Sequence, residues 1–351
     1  MITLELLTWY NKEKRALPWR ETTNPYSIWI SEIMLQQTRV DQAINYYIRF
    51  MDHFPEPETL AKASEDQILK LWQGLGYYSR ARNIHKAAKK IMSEFDGQFP
   101  DTFQLLKTLP GIGEYTAGAI ASIAFNEPVP AVDGNVQRVI SRLFGVTEPV
   151  NTTKGSSIIK GIAEDIMDKD EPGEFNQALM ELGALICKPQ SPGCNHCPMQ
   201  NECYAYRKSL VTELPYKVKR TTSRSRFFHY LVFLDPENKK SYFRKRDNKN
   251  DIWYHLYEFP LIEADKPLSP DQIRHAFMEK KLAFPEGAVL HHFSEKFIHV
   301  LSHQRIHTHF FVYHISKLKN NLNDWQIVDY DALHRLPTHS LTTRFTGGYN
   351  F

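Results

Sequence analysis

The apolar residues of this chain keep a helical rhythm up to about residue 210 and then lose it. That change restricts the fold more than any composition figure does. In "NIHKAAKKIMSEF", Ile84, Ala87, Ala88, Ile91, Met92 and Phe95 fall on one helix face. Val40, Ala43, Ile44 and Tyr47 repeat the pattern, as do Val136, Val139, Ile140, Leu143 and Phe144, and again Ile158, Ile159, Ile162, Ala163 and Ile166. Proline and glycine break the run at "FPEPET", "GQFPDT" and "KDEPGE". Past Pro215 the stretch "YKVKRTTSRSR" is polar and basic and reads as a linker. Strand-like runs rich in aromatic and β-branched residues follow at 227–233 and 308–315, with one helix expected at about 270–281. The chain of 351 residues is long enough for two cores. The expected organisation is a mostly α N-terminal domain over 1–215, a linker over 216–226 and an α+β domain over 227–351.

Charged residues make up 24% of the chain and the net charge is only +3, so a polyanionic partner is allowed but not demanded. Glu5 stands close to the start, no small-residue cleavage site follows, and no apolar run is long enough to span a bilayer. A cytoplasmic protein without a signal peptide or membrane contact is the expectation, nucleoid-associated if bacterial. All four cysteines, Cys187, Cys194, Cys197 and Cys203, fall in one short segment. In a reducing compartment such a group reads as a metal site. Four thiolates suit zinc or a [4Fe-4S] cluster, and their spacing alone does not choose. His196, inside the segment, reads as a loop residue.

Three further stretches carry candidate chemistry. In "SEIMLQQT" the carboxyl group of Glu32 sits within an apolar helix, beside Ile28, Trp29 and Ile33, where burial is costly unless the group is used or paired. In "LPGIGEYTAGA", Gly111 and Gly113 lie between two helical segments. A glycine turn leading into a helix N-terminus suits a backbone phosphate, and it equally suits an ordinary turn. In "VPAVDGNVQRV", Asp133 precedes Gly134 and Asn135 at a helix start, where a plain N-cap is the simplest role.

Taken together, the hairpin, the aspartate about twenty residues beyond it and the cysteine spacing resemble the helix-hairpin-helix, iron–sulfur DNA glycosylase superfamily. Within it, "SEIMLQQT" is most similar to the MutY-type adenine DNA glycosylases. The resemblance implies a six-helix module, an iron–sulfur module holding a [4Fe-4S] cluster on the four cysteines, and a Nudix-like C-terminal domain. It implies duplex DNA with adenine opposite 8-oxoguanine or guanine as substrate, and a protein acting as a monomer. Relatives that also cut the strand carry a lysine two residues after the second hairpin glycine. Here Tyr115 stands there, and a tyrosine forms no Schiff base. Glu32, raised in pKa by burial, would protonate the leaving base, while Asp133, near Asn135, would stay ionised and face the sugar. Gln37 resembles the intercalating glutamine of the family, with Leu75 and Tyr77 of "GLGYYSR" as the wedge and Gln36 a neighbour of little consequence. Trp19 and Arg20 of "LPWR" would supply an aromatic wall and a phosphate-binding guanidinium.

A working Nudix hydrolase needs an acidic helix, and "LSPDQIRHAFMEKKL" lacks the cluster, so no pyrophosphatase activity is expected. The 8-oxoguanine reading loop of the family would correspond to Leu301, Ser302 and His303, with Leu301 replacing a phenylalanine. His291, His292, His299, His303, His307 and His309 are scattered along the domain, and a metal site on them is not expected. Competing readings are a thymine or oxidised-pyrimidine mismatch glycosylase, and a non-catalytic iron–sulfur protein that binds lesions.

Overall fold

The computed structural model describes residues 2–218, 224–280, 282–319 and 323–349; residues 219–223 of the expected linker lie outside them. By internal contacts the chain divides into two compact units. One contains residues 1–63 and 79–220, the other 64–78 and 221–351.

The first unit is helical. In chain order the N-terminal helices are α1 (Ile2–Glu13), α2 (Pro25–Leu35), α3 (Val40–His53), α4 (Pro57–Lys62), α5 (Glu65–Trp72), α6 (Ser79–Glu94) and α7 (Phe103–Leu106). They continue with α8 (Glu114–Phe125), α9 (Gly134–Phe144), α10 (Thr153–Asp165), α11 (Pro172–Leu185) and α12 (Tyr204–Arg207). Of these, α5 belongs to the second unit. Helices α2 and α8 are buried on nearly every side, as their apolar sequences without a polar stripe require. The other helices bury one face. Leu6, Leu7 and Tyr10 of α1 pack with Val136, Val139 and Ile140 of α9 and with Phe175, Ala178 and Leu179 of α11. Two residues expected on buried faces are not there: Ile158 is 37% exposed and Phe144 36% exposed. Each directly adjoins an inward-facing residue, Ile159 or Leu143, and one step along a helix turns the side chain away from the core.

The second unit is built on a mixed sheet. Its strands are β1 (Arg224–Asp235), β2 (Lys240–Lys245), β3 (Tyr257–Glu258), β4 (Leu261–Ala264), β5 (Val289–Phe293), β6 (Phe297–Val300), β7 (Gln304–His314) and β8 (Gln326–Asp329). Strand β1 runs parallel to β7, with Phe227 opposite His307 and Leu234 opposite His314. The other pairings are antiparallel. The continuous apolar run from Phe228 to Leu234 is explained by this central parallel position, buried on both faces. Helices α13 (Pro270–Glu279), α14 (Tyr330–Arg335) and α15 (Ser340–Gly348) complete the unit. Ile273 and Phe277 of α13 pack on Leu231, Phe233, Phe311 and Tyr313 of the sheet.

Two boundaries differ from expectation. Strand β1 begins at Arg224, so residues 224–226 are sheet rather than linker: Arg226 is drawn in by ion pairs to Asp251 and Glu263. Residues 64–78 group with the C-terminal unit, because their polar side chains bond to it.

Candidate active site

Helix α2 is capped at its start by Asn24, whose side chain accepts from the N–H groups of Tyr26 and Ser27. Its C-terminal carbonyls are collected by Arg80 of α6. That guanidinium donates to the carbonyls of Ile33 (2.7 Å), Met34 (3.0 Å) and Gln36 (2.6 Å). So both ends of the helix that carries Glu32 are held. Glu32 itself is 6% exposed, and burial pushes its carboxyl up from an ordinary 4.5 to about 7. Its nearest polar partner is the Tyr115 hydroxyl, 2.5 Å from Oε2 and 3.2 Å from the Met180 sulfur.

Tyr115 reaches Glu32 from the first turn of α8, just after the hairpin. Gly111 has φ +82°, and a Cβ there would lie 2.7 Å from Cβ of Asn83, so the turn requires glycine twice over. Gly113 is different: it caps α8, and a Cβ on it would meet nothing within 4 Å.

Asp133 is the N-cap of α9. Its Oδ1 accepts from the N–H groups of Asn135 and Val136, both at 2.8 Å, and Oδ2 accepts from the Asn135 amide at 2.7 Å. These donors favour the ionised form, but burial is the larger influence and the net shift is upward. Asn135 is held in turn by Arg138, 2.9 Å from its Oδ1. Arg138 also donates to the carbonyls of Gly183 (2.8 Å) and Cys187 (2.6 Å). Helix α11 approaches this corner so closely that a Cβ on Gly183 would stand 2.5 Å from Cβ of Asn135.

Glu32, Tyr115, Asp133, Asn135, Trp19 and Arg20 all line one cavity of about 160 Å³. Trp19 is a buried wall, edge-on to Tyr47 at 5.3 Å. Arg20 corrects an expectation. Its guanidinium is not offered to phosphate but is engaged by Glu181 of α11, with Nη1 and Nη2 each 2.9 Å from a carboxylate oxygen. Arg15 bonds the same carboxylate. Burial alone would raise the Glu181 carboxyl, but these charged donors hold it down at about 2. Sequence reading missed Glu181, Arg15 and Arg138. The only available signal was a lone glutamate in the apolar helix "FNQALMELGAL", the same kind of signal that singled out Glu32.

Tyr115 also lines a larger groove of about 1020 Å³, together with Gln37, Glu114, Thr152 and Lys160. Gln37 is exposed and holds a left-handed φ of +60°, a conformation that bulky residues adopt only when surroundings impose it. Gln36 is tied by its amide to the Thr116 hydroxyl at 3.2 Å.

The remaining expected residues lie elsewhere. Leu75 and Tyr77 are in the second unit, Leu75 buried and Tyr77 exposed with φ +49°. Ser302 and His303 form the exposed turn between β6 and β7, with the Ser302 hydroxyl 3.2 Å from His303 Nδ1. Leu301 is half-buried at its edge. The other histidines are engaged by ring stacking, His307 on Phe227, His309 on Phe293 and His291 on His314. The four cysteines surround a single small cavity of about 30 Å³, with Arg142 3.4 Å from the Cys187 sulfur. Among the described residues, no three His, Cys, Asp or Glu side chains converge tightly enough to hold one metal ion.

Residues 30–160 match the model of the HhH-GPD superfamily base excision DNA repair protein. An adenine DNA glycosylase of Buchnera aphidicola subsp. Acyrthosiphon pisum is 36% identical over 300 residues, 85% of this chain and 83% of that protein. The mouse adenine DNA glycosylase is 47% identical over 212 residues, 58% of this chain, and the chain spans only 41% of that protein's length. Among solved structures, a thermostable thymine-DNA glycosylase matches with a TM-score of 0.55 and 31% identity, over 59% of this chain and 95% of its own. A trapped endonuclease III–DNA intermediate shares the fold with a TM-score of 0.52 at 24% identity, over 59% of this chain and 95% of its own. Fold, hairpin and carboxylate cavity thus define a helix-hairpin-helix protein of the base-excision repair type. Within that class the chain belongs to the adenine DNA glycosylase family.

Proposed function

We propose that this protein is a monofunctional adenine DNA glycosylase that hydrolyses the N-glycosidic bond of adenine opposite 8-oxoguanine or guanine in duplex DNA, acting as a monomer. The observation that carries the reading is that Glu32 and Asp133 line one cavity in different settings. Glu32, buried and raised to about 7, keeps a proton near neutrality. That proton passes to a ring nitrogen of the base, the bond to the sugar breaks with its electron pair going to the base, and positive charge develops on the sugar. Asp133, held by three donors, faces that charge in its ionised form. Water then adds to the sugar carbon and gives its proton to a carboxylate. Asn135 fixes Asp133, and the Tyr115 hydroxyl fixes Glu32 where a Schiff-base lysine would otherwise stand.

Around this centre, Gly113 leaves its surroundings open, which supports close approach of a phosphate to the start of α8, with Gly111 shaping the turn. Gln37 serves as the intercalating glutamine, and Leu75 and Tyr77 as the wedge. The four cysteines ring a cavity rather than meeting at one point. Four thiols lining one small cavity supply the donor set a [4Fe-4S] cluster takes, and such a cluster would tie down the loop 187–203. We assign the helical unit as the catalytic domain and the sheet unit, whose first strand starts at Arg224, as a Nudix-like domain that reads 8-oxoguanine through Ser302 and His303.

The test is incubation with duplex containing adenine opposite 8-oxoguanine, with and without alkali, beside a thymine–guanine duplex as suggested by the structural likeness to a thymine-DNA glycosylase. Strand breaks should appear only at adenine and only after alkali. Asp133→Asn should lower excision by at least about 10²-fold while duplex binding is retained. Breaks without alkali, or at thymine alone, would refute the assignment.

A further inference from the structure

In the turn Gly74–Tyr77 the glycines suit their backbone conformation, but Tyr77 does not. Gly74 and Gly76 have φ of +100° and +76°, and Tyr77, which carries a large side chain, has φ +49°. A non-glycine residue in the left-handed region costs on the order of 1–3 kcal/mol and persists where neighbours impose it. Some of the restraint is local: the Trp72 indole donates to the Gly76 carbonyl at 3.0 Å, and Gly74 N–H donates to the Tyr78 hydroxyl at 3.3 Å.

Further restraint comes from residues more than 250 positions away in the same compact unit. The Gln73 amide donates to the hydroxyls of Thr338 (3.1 Å) and Thr343 (2.8 Å), and those hydroxyls lie 3.0 Å apart. On the far side of the turn, the Tyr78 hydroxyl reaches the Thr338 carbonyl at 3.5 Å. Lys70, one turn earlier in α5, donates to the carbonyls of His334 and Leu336 and to Gln73 Oε1 at 2.9 Å. Thr338 is 4% exposed and is fixed by a bridge to Tyr257 at the edge of the sheet. The turn is therefore gripped before and after by one buried threonine of the C-terminal segment.

We infer that Thr338 and Gln73 are positioning residues for base extrusion: through them the C-terminal segment holds Leu75 and Tyr77 in the shape that enters the duplex. The inference rests on the wedge role proposed for those two residues. It makes base extrusion, and not only lesion reading, depend on the C-terminal segment.

The test uses the full chain carrying Asp133→Asn, so that the base stays attached. The duplex contains adenine opposite 8-oxoguanine, with 2-aminopurine as the neighbour of that adenine, and its fluorescence rises when the adjacent base leaves the stack. Thr338→Val removes one hydroxyl at constant shape, and Gln73→Ala removes the amide. Loss of a hydrogen bond of about 1 kcal/mol lowers the extruded population about fivefold, so each variant should show a clearly smaller rise, with duplex affinity by anisotropy unchanged. Thr338→Ser should restore the signal, and Tyr77→Ala should abolish it. A full rise in both Thr338→Val and Gln73→Ala while Tyr77→Ala loses it would overturn the grip and leave the wedge standing. A full rise in Tyr77→Ala would overturn the wedge, and the grip with it.

Discussion

Two buried glutamates, one in each unit of this protein, are driven in opposite directions. Glu32 in the helical unit is 6% exposed and is pushed up to about 7. Glu258 in the sheet unit is wholly buried and held down at about 2. Burial raises both. What differs is the company. Glu258 receives Arg246 at 2.9 and 3.0 Å and Arg244 at 3.1 Å, and Tyr230 donates to it at 3.0 Å. His339, 3.6 Å away, and the two guanidinium groups together hold Glu258 down against that burial. Among the described residues Glu32 has a tyrosine hydroxyl and no directly bonded cation. The arginine nearest in the cavity, Arg20, is engaged by Glu181. A carboxylate surrounded by guanidinium groups is a structural cross-link, whereas one left with a neutral donor in an apolar wall keeps a proton to give.

That contrast breaks most sharply under substitution. Glu258→Gln takes from Arg244 its carboxylate partner and leaves the buried Arg246 with Asp251 alone, and should destabilise the protein by about 3–5 kcal/mol, read as a lower denaturation midpoint. Its pH dependence follows the same sign: the folded pKa lies below the ordinary 4.5, so this stabilisation is present above pH 4.5 and is lost as pH falls toward about 2. Glu32→Gln should do the reverse. Its folded pKa lies above 4.5, so the ionised group opposes folding as pH rises from 4.5 through about 7. Removing the charge should therefore stabilise the protein at pH 8 by about 2–3 kcal/mol, seen as a higher melting temperature than the parent's. A Glu32→Gln protein that melts lower at pH 8 would show that the glutamate is a structural residue after all.

Activity gives a finer probe. For the parent, kcat/KM should decline as pH rises through about 7, where Glu32 gives up its proton, and the residual activity of Glu32→Gln should lack that limb. Smallest of all, Ser302→Ala in the exposed turn should reduce the preference for 8-oxoguanine over guanine by about fivefold, the weight of one hydrogen bond of about 1 kcal/mol. Unchanged discrimination would move the reading element elsewhere in the sheet unit.

The parts of the site that were legible beforehand were those signalled by a residue out of place. Glu32 interrupts an apolar helix, and Gly111 and Gly113 interrupt two helices. Asp133 precedes a helix, and four cysteines crowd one loop. Illegible were the residues whose type looks ordinary on the surface of a helix. Arg138 and Arg15 gave no sign that they would serve Asn135 and Glu181, and Arg20 looked free for phosphate until Glu181 was seen to take it. Ile158 and Phe144 were misplaced because helical spacing gives a face only to within one residue.

By itself the sequence determined two kinds of architecture, helical and then sheet, and which side chains bear chemistry. Periodicity, glycine placement and residue type are local properties that survive without a fold. Only the tertiary structure decided which charged groups surround each buried carboxyl, and that residues 64–78 close against the C-terminal segment. A pKa and a grip depend on what lies within a few ångströms, and those neighbours are supplied by chain more than 80 positions away in the case of Glu32 and more than 250 in the case of Gln73.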